Sequence, residues 1–98
     1  MLNQVVLVGR LTRDPVGEPN RPCREINLAI PRSYKNSEGE YETDFIDCEL
    51  WNDTIGQSAS KYCRKGDIVG VKGRLESKEN RIVVVAEKLT FLSSNHNN

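Results

Sequence analysis

The chain has 98 residues, enough for one domain with a modest core, so assembly into an oligomer would help its stability. Hydrophobic residues make up 37% and charged residues 29%, which excludes a disordered chain, and no run is long and apolar enough for a membrane-spanning helix. Lys plus Arg and Asp plus Glu are 14 each; the resulting net charge of zero argues mildly against a nucleic-acid partner, although binding depends on where charge sits on the surface.

In chain order, the segment from Asn3 to Leu11 is expected to form the first strand. Val5, Leu7 and Leu11 lie on one face and Val6 and Val8 on the other, so both faces require cover, most simply from a second subunit. The stretch from Thr12 to Pro22 holds three prolines and a glycine and reads as a loop. From Cys23 to Ile30 the pattern alternates, with Ile26, Leu28 and Ile30 inward and Glu25 and Asn27 outward. Pro31 ends regular pairing or marks an edge or bulge. Lys35 to Glu40 is a polar hairpin tip turning at Gly39, and Tyr41 to Trp51 is the third strand.

Asn52 or Asp53 can cap a short helix over Thr54 to Arg64, which Gly66 terminates, while Gly56 weakens its first turn. Asp67 to Leu75 is the fourth strand, Ser77 to Asn80 a tight turn, and Arg81 to Leu92 the fifth strand. Five strands with one short helix between the third and fourth predict an all-β OB-fold, a five-stranded Greek-key barrel; an SH3-like barrel normally lacks that helix. The expected domain is 1–92, followed by a polar tail, 93–98.

Catalytic constellations are not evident. His96 is the single histidine and sits in the tail. Cys23, Cys48 and Cys63 are odd in number and form no C-x-x-C pair, which implies buried thiols in a reducing compartment rather than disulfides or a zinc site. Asp47 and Glu49 share a strand face; ordinary solvated carboxylates are the plainer reading and a divalent-metal site the sharper one. Gly70 and Gly73 lack the Lys-Ser/Thr of a phosphate loop. The segment Met1-Leu2-Asn3-Gln4 lacks signal-peptide character, so a cytoplasmic location is expected, with no cofactor and no metal.

The third strand is the most informative. Side chains alternate across a strand, so Ile46, Cys48 and Leu50 face the core while Phe45, Asp47, Glu49 and Trp51 face away. Two readings of these rings are open: Phe45 and Trp51 pack beneath another element or subunit, or they stand exposed as a platform for unpaired bases, with Tyr34 as a third ring. Lys72 and Arg74 on the fourth strand, with Arg10, Arg32, Lys35, Lys78 and Arg81 on strands and hairpins, are cations that an OB barrel would gather beside those rings. The acidic residues instead cluster at Glu38, Glu40, Glu42 and Asp44.

The blocks MLNQVVLVGRLTRDP, NLAIPRSY, DFIDCELW and KYCRKGDIVGVKGRL, in this order, resemble the bacterial single-stranded-DNA-binding protein family over about residues 1–92. The resemblance implies non-catalytic, largely sequence-independent binding of single-stranded DNA in replication, recombination or repair, with association with the nucleoid. It also implies a homotetramer, a dimer of dimers pairing through the first strand, and stacking roles for Tyr34, Phe45 and Trp51. Four departures stand out. The last hairpin is short and carries no aromatic. Asp47 and Glu49 replace neutral or basic residues and would repel phosphates or accept hydrogen bonds from base amino groups. The loop after Pro15 is compressed and lacks a tyrosine. The sequence ends at Asn98 without the family's acidic tip, so recruitment of replication enzymes by that tip is not expected. The competing reading is an OB-fold adaptor resembling primosomal replication protein N, acting mainly through protein contacts.

Overall fold

The computed structural model describes residues 1–17, 22–51, 59 and 61–94. Its strands are β1 (Val5–Leu11), β2 (Arg24–Lys35), β3 (Tyr41–Leu50), β4 (Ile68–Lys78) and β5 (Arg81–Ser93). They close into a barrel in the order β1-β2-β3-β5-β4. β1 runs antiparallel to both β2 and β4; β2–β3 and β4–β5 are antiparallel hairpins. The last seam is parallel and brief, Cys48 against Val84 and Glu49 against Val85. This is the Greek-key closure of an OB-fold.

The inward faces follow the alternation of the sequence. Ile26 and Leu28, Cys48 and Leu50, Val69 and Val71, and Val84 and Ala86 fill the interior together with Leu11. Val5, Leu7, Ile30, Ile46 and Leu89 pack around that cluster. Ala59 and Cys63 join the core from a helical turn in which the Cys63 amide donates to the Ala59 carbonyl at 2.9 Å. Of the helix expected over Thr54 to Arg64, Ala59, Lys61 and Tyr62 are helical; its proposed caps Asn52 and Asp53, and Gly56, lie outside the described residues. Asp67 is fully buried, and its Oδ2 accepts the Arg64 amide at 2.9 Å. Its own carbonyl accepts the Leu11 amide at 2.8 Å, tying this turn to the end of β1.

Two strands outrun the sequence reading. β2 continues through Pro31 to Lys35 because the register shifts between Pro31 and Lys35, and a bulge is where a residue without an N–H is tolerated. β4 continues to Lys78, which leaves Glu79 and Asn80 as the turn, with Glu79 at a left-handed φ of 54°.

Gly73 marks the bend that closes the barrel. Up to this residue β4 pairs with β1, ending at Val5 opposite Gly73; beyond it β4 pairs with β5 alone. The β4–β5 register shifts between Lys72 and Gly73. A Cβ on Gly73 would collide with the backbone carbonyl of Val85, the residue that β5 presents to Glu49 on β3. Gly73→Ala is therefore expected to lower the unfolding free energy by about 1–3 kcal/mol, the usual cost of overpacking. Gly70→Ala is the control, since its Cβ would meet Leu92 Cδ1 at an ordinary 3.6 Å. Urea denaturation of the two variants checks the contrast.

Candidate nucleic-acid interface

Register aligns the outward residues of β1, β2 and β3 into rows. Arg10 lies opposite Ala29, and Ala29 opposite Phe45, so a cation and a ring flank a small residue. Phe45 is 67% exposed. In the next row the Thr12 hydroxyl donates to Asn27 Oδ1 at 2.7 Å, and Asn27 Nδ2 donates to Asp47 Oδ1 at 2.8 Å. The third row sets Val16 against Glu25 and Glu25 against Glu49.

Trp51 follows β3 and is 45% exposed. Its Nε1–H donates to Glu49 Oε1 at 2.7 Å, and Lys78 Nζ donates to the same oxygen at 2.8 Å. The Lys78 ammonium also lies 5.0 Å from the Trp51 ring centroid, within cation–π range. Glu49 is only 7% exposed. Burial alone would raise its carboxyl pKa, but the hydrogen bonds from Lys78 and Trp51, with the charges of Lys78 and Arg81, hold it below the ordinary glutamate value. Two grooves meet at this ring. One, of about 680 Å³, is lined by Val16, Gly17, Cys23, Glu25, Glu49, Trp51 and Arg81. The other, of about 440 Å³, runs past Trp51, Arg74, Glu76, Lys78 and Glu87.

The structure thus brings together Phe45, Trp51, Arg10, Arg74, Lys78 and Arg81 along one outer wall. It does not bring Arg32 there. The Arg32 guanidinium is held by Asp44 at 2.9 Å and Glu42 at 3.0 Å, and these carboxylates alternate with Phe45 along β3 and so face the opposite side of the hairpin. The hydrogen bond from Arg32 lowers the Asp44 carboxyl pKa. Lys72 lies on the other side of β1 from β2 and β3: it pairs with Val6 on β1 and Lys88 on β5. Tyr34 is exposed on the hairpin limb beyond the β2 bulge, and Lys35 lies 5.8 Å from the Tyr41 ring rather than beside Phe45 or Trp51.

Of the cations on the wall, Arg74 is paired with Glu76 and Glu87 at 2.6 and 3.1 Å. Arg10 donates to the Gly66 carbonyl at 2.8 Å. Among the described residues, neither Arg10 nor Arg81 forms a salt bridge. Glu49 corrects the expectation of a solvated carboxylate that repels phosphate, because it is buried and neutralised. Asp47 is exposed but held by Asn27. Among the described residues no group of His, Cys, Asp and Glu is arranged to hold a metal ion. The thiols are free, and Cys48 is pushed up to about 12 by burial and then by the Asp47 charge.

Sequence reasoning did not find Thr12 and Asn27 as a polar row, or Val16, Cys23 and Glu25 as walls of the Trp51 groove. Alternation placed Asn27 and Glu25 outward, but their neighbours depend on register. The partnership of Glu49 with Lys78 spans 29 residues and exists only because β5 closes on β3.

A family model described as the single-strand binding protein family matches residues 2–91. The chain belongs to that family. Within the single-strand binding protein family, it is 43% identical over 81 residues to single-stranded DNA-binding protein B of Bacillus subtilis (strain 168), covering 80% of this chain and 71% of that protein. It is 38% identical over 107 residues to single-stranded DNA-binding protein 1 of Lactococcus lactis subsp. lactis (strain IL1403), covering 97% of this chain and 71% of that protein. The fold superposes on a Plasmodium falciparum SSB in complex with ssDNA with a TM-score of 0.82 at 21% identity, over 95% of this chain and 96% of that one. Family membership favours the first of the two functional readings over the primosomal adaptor. Among the described residues no helix is long and apolar enough to cross a membrane.

The lowered pKa of Glu49 predicts a pH response at Trp51. A carboxyl held below its unfolded value contributes stability that is complete above the ordinary glutamate pKa and lost as pH falls through the folded-state value. Trp51 is the only tryptophan, so its emission in the free protein is expected to stay constant at neutral pH and to change only below the ordinary glutamate range. A fluorescence pH titration checks this.

Proposed function

We propose that this chain binds single-stranded DNA, largely without sequence preference and without catalysis, in replication, recombination or repair. The observation that carries this reading is the pair of exposed rings, Phe45 and Trp51, on one outer wall of the barrel with Arg10 and Arg81 beside them. Unpaired bases stack on such rings regardless of identity, because every base has a π face. Arg10, Arg81 and Arg74 are suited to the phosphates, and Arg74 would exchange its solvent-accessible carboxylate partners for them. Tyr34 and Lys35 extend the path along the protruding β2–β3 hairpin; Arg32 and Lys72 have weaker claims because of their placement.

The proposal includes a homotetramer, a dimer of dimers pairing through β1, acting at the bacterial nucleoid. Its support is Val6 and Val8, which are 68% and 54% exposed on the outer face of β1. Apolar residues so presented on a short chain are suited to a second copy.

Phe45→Ala and Trp51→Ala are each expected to weaken oligo-dT binding by about 1–3 kcal/mol. Wild-type Trp51 emission should be quenched by the same oligonucleotide, and an unchanged spectrum at saturation would overturn direct stacking. The Val6→Asp/Val8→Asp double variant is expected to lower the mass measured by light scattering.

A further inference from the structure

We propose that Glu49 and Lys78 are positioning residues for Trp51. Together they fix the indole as a one-sided stacking platform, and Glu49 withholds Lys78 from the cations that meet phosphate. The inference rests on the reading of Trp51 as a stacking ring.

Glu49 lies two residues before Trp51 on the same side of the strand, so its carboxylate can reach the indole nitrogen. An indole has a single hydrogen-bond donor, and here it is committed to Glu49 Oε1 at 2.7 Å. This hydrogen bond sets the tilt of the ring. Lys78 then bonds the same oxygen at 2.8 Å with its ammonium 5.0 Å from the ring centroid. A cation so placed removes that side from stacking. Among the described residues, Val16, Gly17, Cys23, Glu25, Glu49 and Arg81 line the groove that reaches Trp51 and Lys78 is not one of them, so the incoming base is assigned to this side.

Two ion-paired cations flank the second groove, and burial separates them. The carboxylate side chains that hold Arg74, on Glu76 and Glu87, are 35% and 50% exposed, whereas that of Glu49 is 9% exposed. Removing Lys78 would leave a buried charge unpaired, which is strongly unfavourable. It would also leave Glu49 directly opposite Glu25 without its ammonium, and like charges across a strand pair repel. Arg74 is therefore exchangeable and Lys78 is retained.

The lone tryptophan makes the test clean. In the free protein, Glu49→Met, which removes the acceptor, and Lys78→Met should each raise acrylamide quenching of Trp51 and lower its anisotropy, and Lys78→Arg should leave both as in the wild type. In oligo-dT titrations over a range of salt, a variant that neutralises one phosphate fewer should have a slope of log K against log salt shallower by about 0.7. Arg74→Ala and Arg81→Ala should show that reduction. Lys78→Met should weaken binding at unchanged slope, and Glu49→Gln, which frees Lys78, should steepen the slope by about the same 0.7. Should a single variant fail to fold, Glu49→Met/Lys78→Met replaces the buried pair with neutral side chains of similar size; it should show a mobile Trp51 and the wild-type slope.

The proposal is overturned if Lys78→Met flattens the slope as Arg81→Ala does, or if Trp51 is equally shielded in all variants. If wild-type emission ignores oligo-dT, the stacking reading itself fails; quenching in the free protein then decides the positioning on its own.

Discussion

The structure depends on one brief seam, the parallel pairing of β3 with β5 at Cys48–Val84 and Glu49–Val85. The seam forms because β4 bends at Gly73, where only a residue without a Cβ lets the Val85 carbonyl approach. Before the bend, β4 pairs with both β1 and β5; after it, the β4–β5 hairpin continues without β1. That continuation completes the core, placing Val84 and Ala86 with Cys48 and Leu50. It also carries Lys78 and Arg81 to Trp51, so closure of the barrel and assembly of the candidate site are one event.

A chain of zero net charge can still present cations where they are useful, because several of its carboxylates are individually occupied. Arg32 takes up Glu42 and Asp44 on the far side of the hairpin. Asp47 accepts a hydrogen bond from Asn27 within the row that begins at Thr12. Glu49 is covered by Trp51 and neutralised by Lys78. The two acids that lie between the exposed rings are thus each held by a neighbour, while among the described residues Arg10 and Arg81 form no salt bridge. Net charge describes the chain as a whole, whereas affinity for a polyanion responds to the local field along its path.

Sequence alone determined the five strands, their inward faces and the outward rings. Strand alternation is local, so Ile26, Leu28, Cys48, Leu50, Phe45 and Trp51 could be assigned to a face without any partner. The place of one short helix between the third and fourth strands pointed to a five-stranded Greek-key closure. The reach of β2 past Pro31 was not legible, because whether a proline ends a strand depends on where the opposite strand permits a bulge.

Only the tertiary structure decided which charges stand beside which rings. Alternation assigned Lys72 and Glu49 to a strand face, and Arg32 was placed only on a strand or hairpin; their neighbours across the sheet could not be supplied. Register set Lys72 beside Val6, the hairpin turned Arg32 toward Asp44, and barrel closure brought Lys78 onto Glu49 across 29 residues of chain. Coulomb and hydrogen-bond energies act over a few ångströms, so their outcome belongs to residues that the fold makes neighbours.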